Sequence, residues 1–116
     1  MAVNALRTTT ITYTGDVSNT IVETLSNSNS PGQTDLITLA SGANTIAVPT
    51  GGSAPVSCTI VPPLGNTISI TLKGVSGDTG IKLNIGADTT ISLDPTQTSF
   101  VLTAGASLVG VRLIWV

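Results

Sequence analysis

The stretch Thr67 to Ile85, TISITLKGVSGDTGIKLNI, sets two alternating runs on either side of a glycine-rich turn. Ile68, Ile70 and Leu72 fall on one face and Thr67, Ser69, Thr71 and Lys73 on the other; after the turn, Ile81, Leu83 and Ile85 alternate with Lys82 and Asn84. A period of two marks a strand with one buried face. The pattern predicts a β-hairpin packed centrally in the fold, with Gly74, Gly77, Asp78, Thr79 and Gly80 in a structured loop at its end. Gly77 and Gly80 are expected to supply positive φ there, and Asp78 to accept hydrogen bonds from the loop's own amides.

The same pattern continues outward in both directions. Strands are expected at Arg7 to Thr14, Asn19 to Leu25, Leu36 to Ala40, Thr45 to Val48, Val56 to Val61, Thr89 to Leu93, Thr98 to Thr103 and Leu108 to Val116, with Gly, Pro, Asn and Asp between them. Leu36 to Val48 reads as a short hairpin. Ser26 to Asp35, SNSNSPGQTD, reads as a long loop and a candidate contact surface. In the last strand Val109, Val111, Leu113 and Trp115 share one face, with Arg112 the only charge on the other. Trp115 is expected to anchor either the core or a subunit interface. No segment sustains a helical apolar period. The fold class that follows is all-β: a single-domain antiparallel β-sandwich or jelly roll of about 8–10 short strands. Residues 1–6 are expected to form a flexible N-terminal arm and residues 7–116 the sandwich.

Charged residues make up only 9% of the chain, where a typical soluble domain has about 25%. The polar positions are filled by Thr, Ser, Gly and Asn, so the surface is neutral and rich in hydroxyls. The four bases, Arg7, Lys73, Lys82 and Arg112, are scattered, and nucleic-acid binding requires them clustered. There is no histidine, which removes His-dependent triads and His-ligated zinc. The single cysteine, Cys58, lies in the apolar run Val56 to Val61 and reads as a buried thiol. No cofactor is implied. Residues Met1 to Leu6 lack the features of a secretory signal, and no run approaches the roughly 18 apolar residues of a membrane span. The expectation is a soluble chain made in the cytoplasm, with no membrane or nucleic-acid partner.

Asp78-Thr79-Gly80 matches the tripeptide of aspartic proteases, and a single copy in a chain of this length resembles the retroviral type, in which two chains each bring one aspartate. That chemistry needs two carboxylates sharing a proton. There the tripeptide follows an apolar strand that buries the aspartate, whereas Asp78 follows Lys73-Gly74-Val75-Ser76-Gly77, an open polar stretch. A loop role for Asp78 is favoured and the protease is kept as a remote alternative. A calcium site would require Asp78, Asp88 and Asp94 to converge, since no run of closely spaced oxygen ligands exists.

Ala43-Asn44-Thr45-Ile46-Ala47-Val48-Pro49-Thr50-Gly51-Gly52, Ile60-Val61-Pro62-Pro63 and Leu72-Lys73-Gly74-Val75-Ser76-Gly77-Asp78-Thr79-Gly80-Ile81 are similar to small structural proteins of tailed-bacteriophage virions. Ser99-Phe100-Val101-Leu102 and Val111-Arg112-Leu113-Ile114-Trp115 extend the likeness to the end of the chain. The resemblance implies a capsid decoration protein or a tail component, located in the virion, with no catalytic residues. A glycan-binding adhesin module is a further alternative. Few charges on an all-β domain favour association. The expected partners are therefore further copies of the chain and a major capsid or other virion protein. Leu6, Arg7, Leu108, Arg112, Ile114 and Trp115 are the candidate interface, through an N-terminal arm and a last strand open to strand addition.

Overall fold

The computed structural model describes residues 3–16, 18–50 and 54–116. Among them the strands are, in chain order, β1 (Val3–Tyr13), β2 (Asn19–Ser30), β3 (Thr34–Leu39), β4 (Gly42–Ala47), β5 (Ser57–Val61), β6 (Ile70–Lys73), β7 (Ile81–Lys82), β8 (Thr89–Ser92), β9 (Ser99–Ala104) and β10 (Leu108–Trp115). β1 and β2 pair only with each other. The other eight form two four-stranded sheets, β3-β10-β5-β8 and β4-β9-β6-β7.

Their pairing is nested: β3 with β10, β4 with β9, β5 with β8 and β6 with β7. The segment from β3 to β10 is thus one long antiparallel double strand, rolled so that successive pairs fall in alternate sheets. That is a jelly roll. The chain is all-β, as the alternation predicts.

The core lies between the sheets. Leu39, Cys58, Ile60, Val111, Leu113 and Trp115 come from one and Ile70, Phe100, Leu102 and Ala104 from the other. Phe100 and Trp115 meet across the gap, with ring centroids 6.1 Å apart and planes tilted by 50°. This tilted packing is favoured by the aromatic quadrupoles. The indole Nε1 donates to Asp35 Oδ2 at 3.0 Å, so the one polar atom of the ring is satisfied where the ring is otherwise enclosed.

Several sequence expectations are corrected. Ser26 to Ser30 is strand rather than loop, because Leu6, Ala5 and Val3 supply ladder partners for Ser26, Asn27 and Ser30. A paired partner outweighs poor intrinsic strand preference. Leu36 to Val48 is not a hairpin: β3 and β4 lie in different sheets, and the Asn44 side chain fixes the corner through bonds to Ala40 N, Ala40 O and Gly42 O. In β10 the register shifts between Val109 and Val111, at Gly110 with φ +88°. This glycine bulge inserts one residue, so Val109 turns outward at 71% exposure and Leu108 turns inward at 6%.

The predicted hairpin exists as β6–β7, but shorter than the alternation suggests. The Asn66 side chain bonds Ile68 N, Ile68 O and Ile85 O, holding the flanks by side-chain contacts in place of a ladder. β6 is an interior strand between β9 and β7, whereas β7 is a sheet edge. Central packing therefore holds for the first half only.

Candidate functional site

The part of the molecule with least of its own structure around it is the β1–β2 hairpin. Its register runs Arg7↔Leu25, Thr9↔Glu23, Ile11↔Ile21 and Tyr13↔Asn19, so these residues share one face. At the base that face meets the outer surface of β5. Arg7 donates through Nη1 to Ser57 Oγ at 2.5 Å and through Nη2 to Thr59 Oγ1 at 2.6 Å, and Asn27 Nδ2 donates to the Ala54 carbonyl at 2.9 Å. Ser57 and Thr59 are buried hydroxyls on the side of β5 away from the core. The guanidinium fork is what permits one side chain to serve both. Partial burial lowers the Arg7 pKa from its ordinary value.

Further along, Thr9 and Glu23 face Thr90 and Ser92 of β8 across a small cleft. Beyond that point every described residue of the hairpin is exposed. Thr10 to Tyr13 and their partners amount to about 14 Å of two-stranded ribbon carrying Ile11 at 45% and Tyr13 at 51% exposure, with Ile21 beside them. A two-stranded ribbon has no core of its own and is marginal in water by itself. Val3 to Leu6, expected in an arm, belong to β1; Met1 and Ala2 lie outside the described residues.

The six candidate interface residues separate. Leu6 is exposed on the hairpin face turned away from the sandwich, Arg7 is spent on Ser57 and Thr59, Arg112 is exposed and Ile114 is half-buried. Leu108 and Trp115 are core residues, at 6% and 2% exposure, and present nothing to a neighbour. β10 also has no free edge, since β3 and β5 flank it, so the last strand is closed to strand addition. The outer face of its sheet carries a cross-strand row, Leu36↔Arg112↔Val61, in which Leu36 is 69% exposed.

The Gly74 to Gly80 loop is ordered by Asp78, as the sequence predicts. Asp78 Oδ2 accepts from Val75 N at 3.0 Å and Asp78 N donates to Val75 O at 3.1 Å. Gly80 has φ +77°, while Gly77 does not adopt positive φ, contrary to expectation. A carboxylate used to cap an exposed loop is not in the buried, shared-proton setting that aspartic proteases employ.

The loop borders an open cavity of about 570 Å³ between β7 and β8, the edges of the two sheets. Its walls are Leu72, Ile81, Ile91, Leu93 and Phe100, and its rim carries Lys73, Asp78, Asp94 and Gln97. Asp88 is not among the lining residues, so the three aspartates considered for calcium do not all meet there. Asp94 Oδ1 accepts from Thr96 Oγ1 at 2.5 Å and from Thr96 N at 2.8 Å, and those bonds hold its carboxyl below the usual range.

Cys58 is fully buried and unbridged. Burial pushes its thiol up to about 12, against an opposing pull from Arg7 and with a further push from Asp35. Such a thiol is inert as a nucleophile.

Ile11, Ile21 and Glu23 were not singled out by sequence reasoning. The signal was present in the alternation of RTTTITYT and NTIVETL, but only the pairing register shows that these residues share a face. Set against protein-family models, curated proteins and solved structures, the chain matches none of them.

Proposed function

We propose that this chain is a structural subunit of a bacteriophage virion, a capsid decoration protein that associates with copies of itself and binds the particle surface. It is made in the host cytoplasm, its second partner is a major capsid or other virion protein, and its role is not enzymatic. The observation that carries this reading is the exposed distal face of the β1–β2 hairpin, with Ile11, Tyr13 and Ile21, on a domain with only 9% charged residues. A ribbon of this kind gains its stability by being covered. The resemblance of the Ala43–Gly52 and Leu72–Ile81 segments to small phage structural proteins points in the same direction. Jelly rolls recur among viral capsid domains and also among lectins, which supports the reading as analogy of fold.

The test is to add the purified chain to particles that lack it and count bound copies. A saturable, fixed copy number per particle is expected, with label on the head. Label on the tail would assign the chain to the tail instead, and absence of binding would overturn the virion reading.

The cavity with Asp78, Asp94 and Gln97 on its rim favours a second reading, a glycan-binding module, because sugars are held by carboxylate and amide groups beside an apolar floor. Saturable binding of the isolated chain to a sugar array, lost in Asp94→Ala, would establish it in place of decoration.

A further inference from the structure

The β1–β2 hairpin encloses a cleft of about 280 Å³ against the outer face of the β5–β8 pair. Arg7, Thr9, Glu23 and Leu25 line it from the hairpin, and Thr90 and Ser92 from β8. The sheet wall is built of hydroxyls. Ser57 pairs with Ser92 and Thr59 with Thr90, so four hydroxyl side chains stand in two adjacent rows on one face. Arg7 covers the β5 members, and Thr59 extends the chain of contacts through a 2.9 Å bond between its Oγ1 and that of Thr90. Thr90 and Ser92 stay open to the cleft.

The groups facing the cleft have hydrogen-bonding capacity left over. The Glu23 carboxylate makes no hydrogen bond or ion pair among the described residues, and the Thr9 and Ser92 hydroxyls make none either. A guanidinium carries more N–H donors than the two that Arg7 spends on Ser57 and Thr59.

These features define the ligand. The carboxylate disfavours an anion beside Arg7, and the guanidinium disfavours a cation beside Glu23. Leu25 is the only apolar residue in the lining, which gives an apolar ligand little to bury against. A zwitterion answers the two charges but leaves the hydroxyls of Thr9, Thr90 and Ser92 unmatched. A neutral molecule with several adjacent hydroxyls, each able to donate to Glu23 and to accept from Arg7, meets all of them. The hairpin face that roofs the cleft also carries Tyr13, at 51% exposure, while Phe100 and Trp115 are buried. An exposed aromatic in line with a few convergent polar groups is the make-up of a small-ligand site.

We infer that this cleft binds a saccharide, with Glu23 accepting from its hydroxyls and Arg7, Thr90 and Ser92 completing the contacts. The inference goes beyond the virion reading and does not depend on it. It places a sugar under the hairpin rather than in the cavity between β7 and β8.

The experiment is titration of the full isotope-labelled chain, followed by amide shifts, for wild type, Glu23→Gln, Ser92→Ala and Asp94→Ala. The probes are glucose, galactose, mannose, N-acetylglucosamine, their disaccharides, and glycine. Saturable shifts centred on Thr9, Glu23, Thr90 and Ser92 are expected with at least one sugar. Glu23→Gln should weaken that binding by about tenfold, since hydrogen bonds to a charged group are the strong ones, and Ser92→Ala by about two- to tenfold. Asp94→Ala should bind as wild type does. Glu23 and Ser92 are both exposed, and unchanged thermal midpoints verify that their substitution leaves the fold intact. Binding lost in Asp94→Ala and kept in Glu23→Gln would move the sugar to the cavity, overturning this site while the glycan reading stands. Saturation by glycine with no response to any sugar, or no response to any probe, overturns the inference and leaves the decoration reading to the count of copies on particles.

Discussion

Arg7 on β1 and Ser57 on β5 are joined by a 2.5 Å hydrogen bond from guanidinium to hydroxyl, and the same guanidinium bonds Thr59 at 2.6 Å. With Asn27, which bonds the Ala54 carbonyl at 2.9 Å, this side chain fastens the hairpin to the sandwich. Without it, Ser57 is a buried hydroxyl with no guanidinium above it.

Arg7→Ala should cost about 1.5–3 kcal/mol of stability, the range for hydrogen bonds to a charged group. The local effect should exceed the global one, with amide exchange rising along β1 and β2 before the sandwich opens. Arg7→Lys should recover only part of the loss, because an ammonium does not present the fork that reaches both hydroxyls. Hydrogen-exchange profiles of the three chains check this.

Trp115 and Asp35 link the core to an edge strand. Asp35→Ala leaves the indole N–H without its acceptor in an enclosed site and should destabilise by about 1–3 kcal/mol. In a Trp115→Phe background, which has no N–H to strand, the same substitution should cost less. A double-mutant cycle by denaturant unfolding measures the difference.

Gly80 and Gly77 should respond differently to alanine. A Cβ on Gly80 would lie 2.6 Å from the Leu72 carbonyl oxygen, at a residue whose φ is +77°, so Gly80→Ala should cost about 1–3 kcal/mol or more. Gly77 has open space around it and no positive φ, and Gly77→Ala should stay within about 0.5 kcal/mol of wild type. Thermal midpoints of the two variants test whether Gly80 is held by backbone geometry.

Cys58 should make the fold sensitive to alkali. Its folded pKa of about 12 lies above the unfolded value of about 8.5. Between them the unfolded chain has released a proton that the folded chain retains. Stability is therefore full below about pH 8.5 and falls as pH rises towards 12, by up to about 1.4 kcal/mol per pH unit. Unfolding measured from pH 8 to 11 should show this slope in wild type and a shallower one in Cys58→Ala. In the native state the thiol should resist alkylating reagents until denaturant is added.

Period-two alternation was sufficient to place most strands, because a half-buried strand writes its buried face into the chain directly. The class, the buried Cys58 and the role of Asp78 in its loop were all legible in that way. The alternation of β10 misled at Val109, since a bulge reverses facing without any change in hydrophobicity, and Gly110 is the one residue that marks it. The SNSNS end of β2 was illegible for a different reason: its partner is Val3 to Leu6, and local composition carries no information about a distant ladder.

What the sequence by itself determined is that this chain is an all-β domain with a sparse, neutral surface, because burial pattern and charge are properties of each residue in its immediate context. Only the tertiary structure decided which strands share a sheet, that Leu108 and Trp115 are core rather than interface, and that β10 is closed while the β1–β2 hairpin is open. Those outcomes depend on pairing between residues far apart in the chain, as Arg7 and Ser57 are, and no local period records which partner a strand will find.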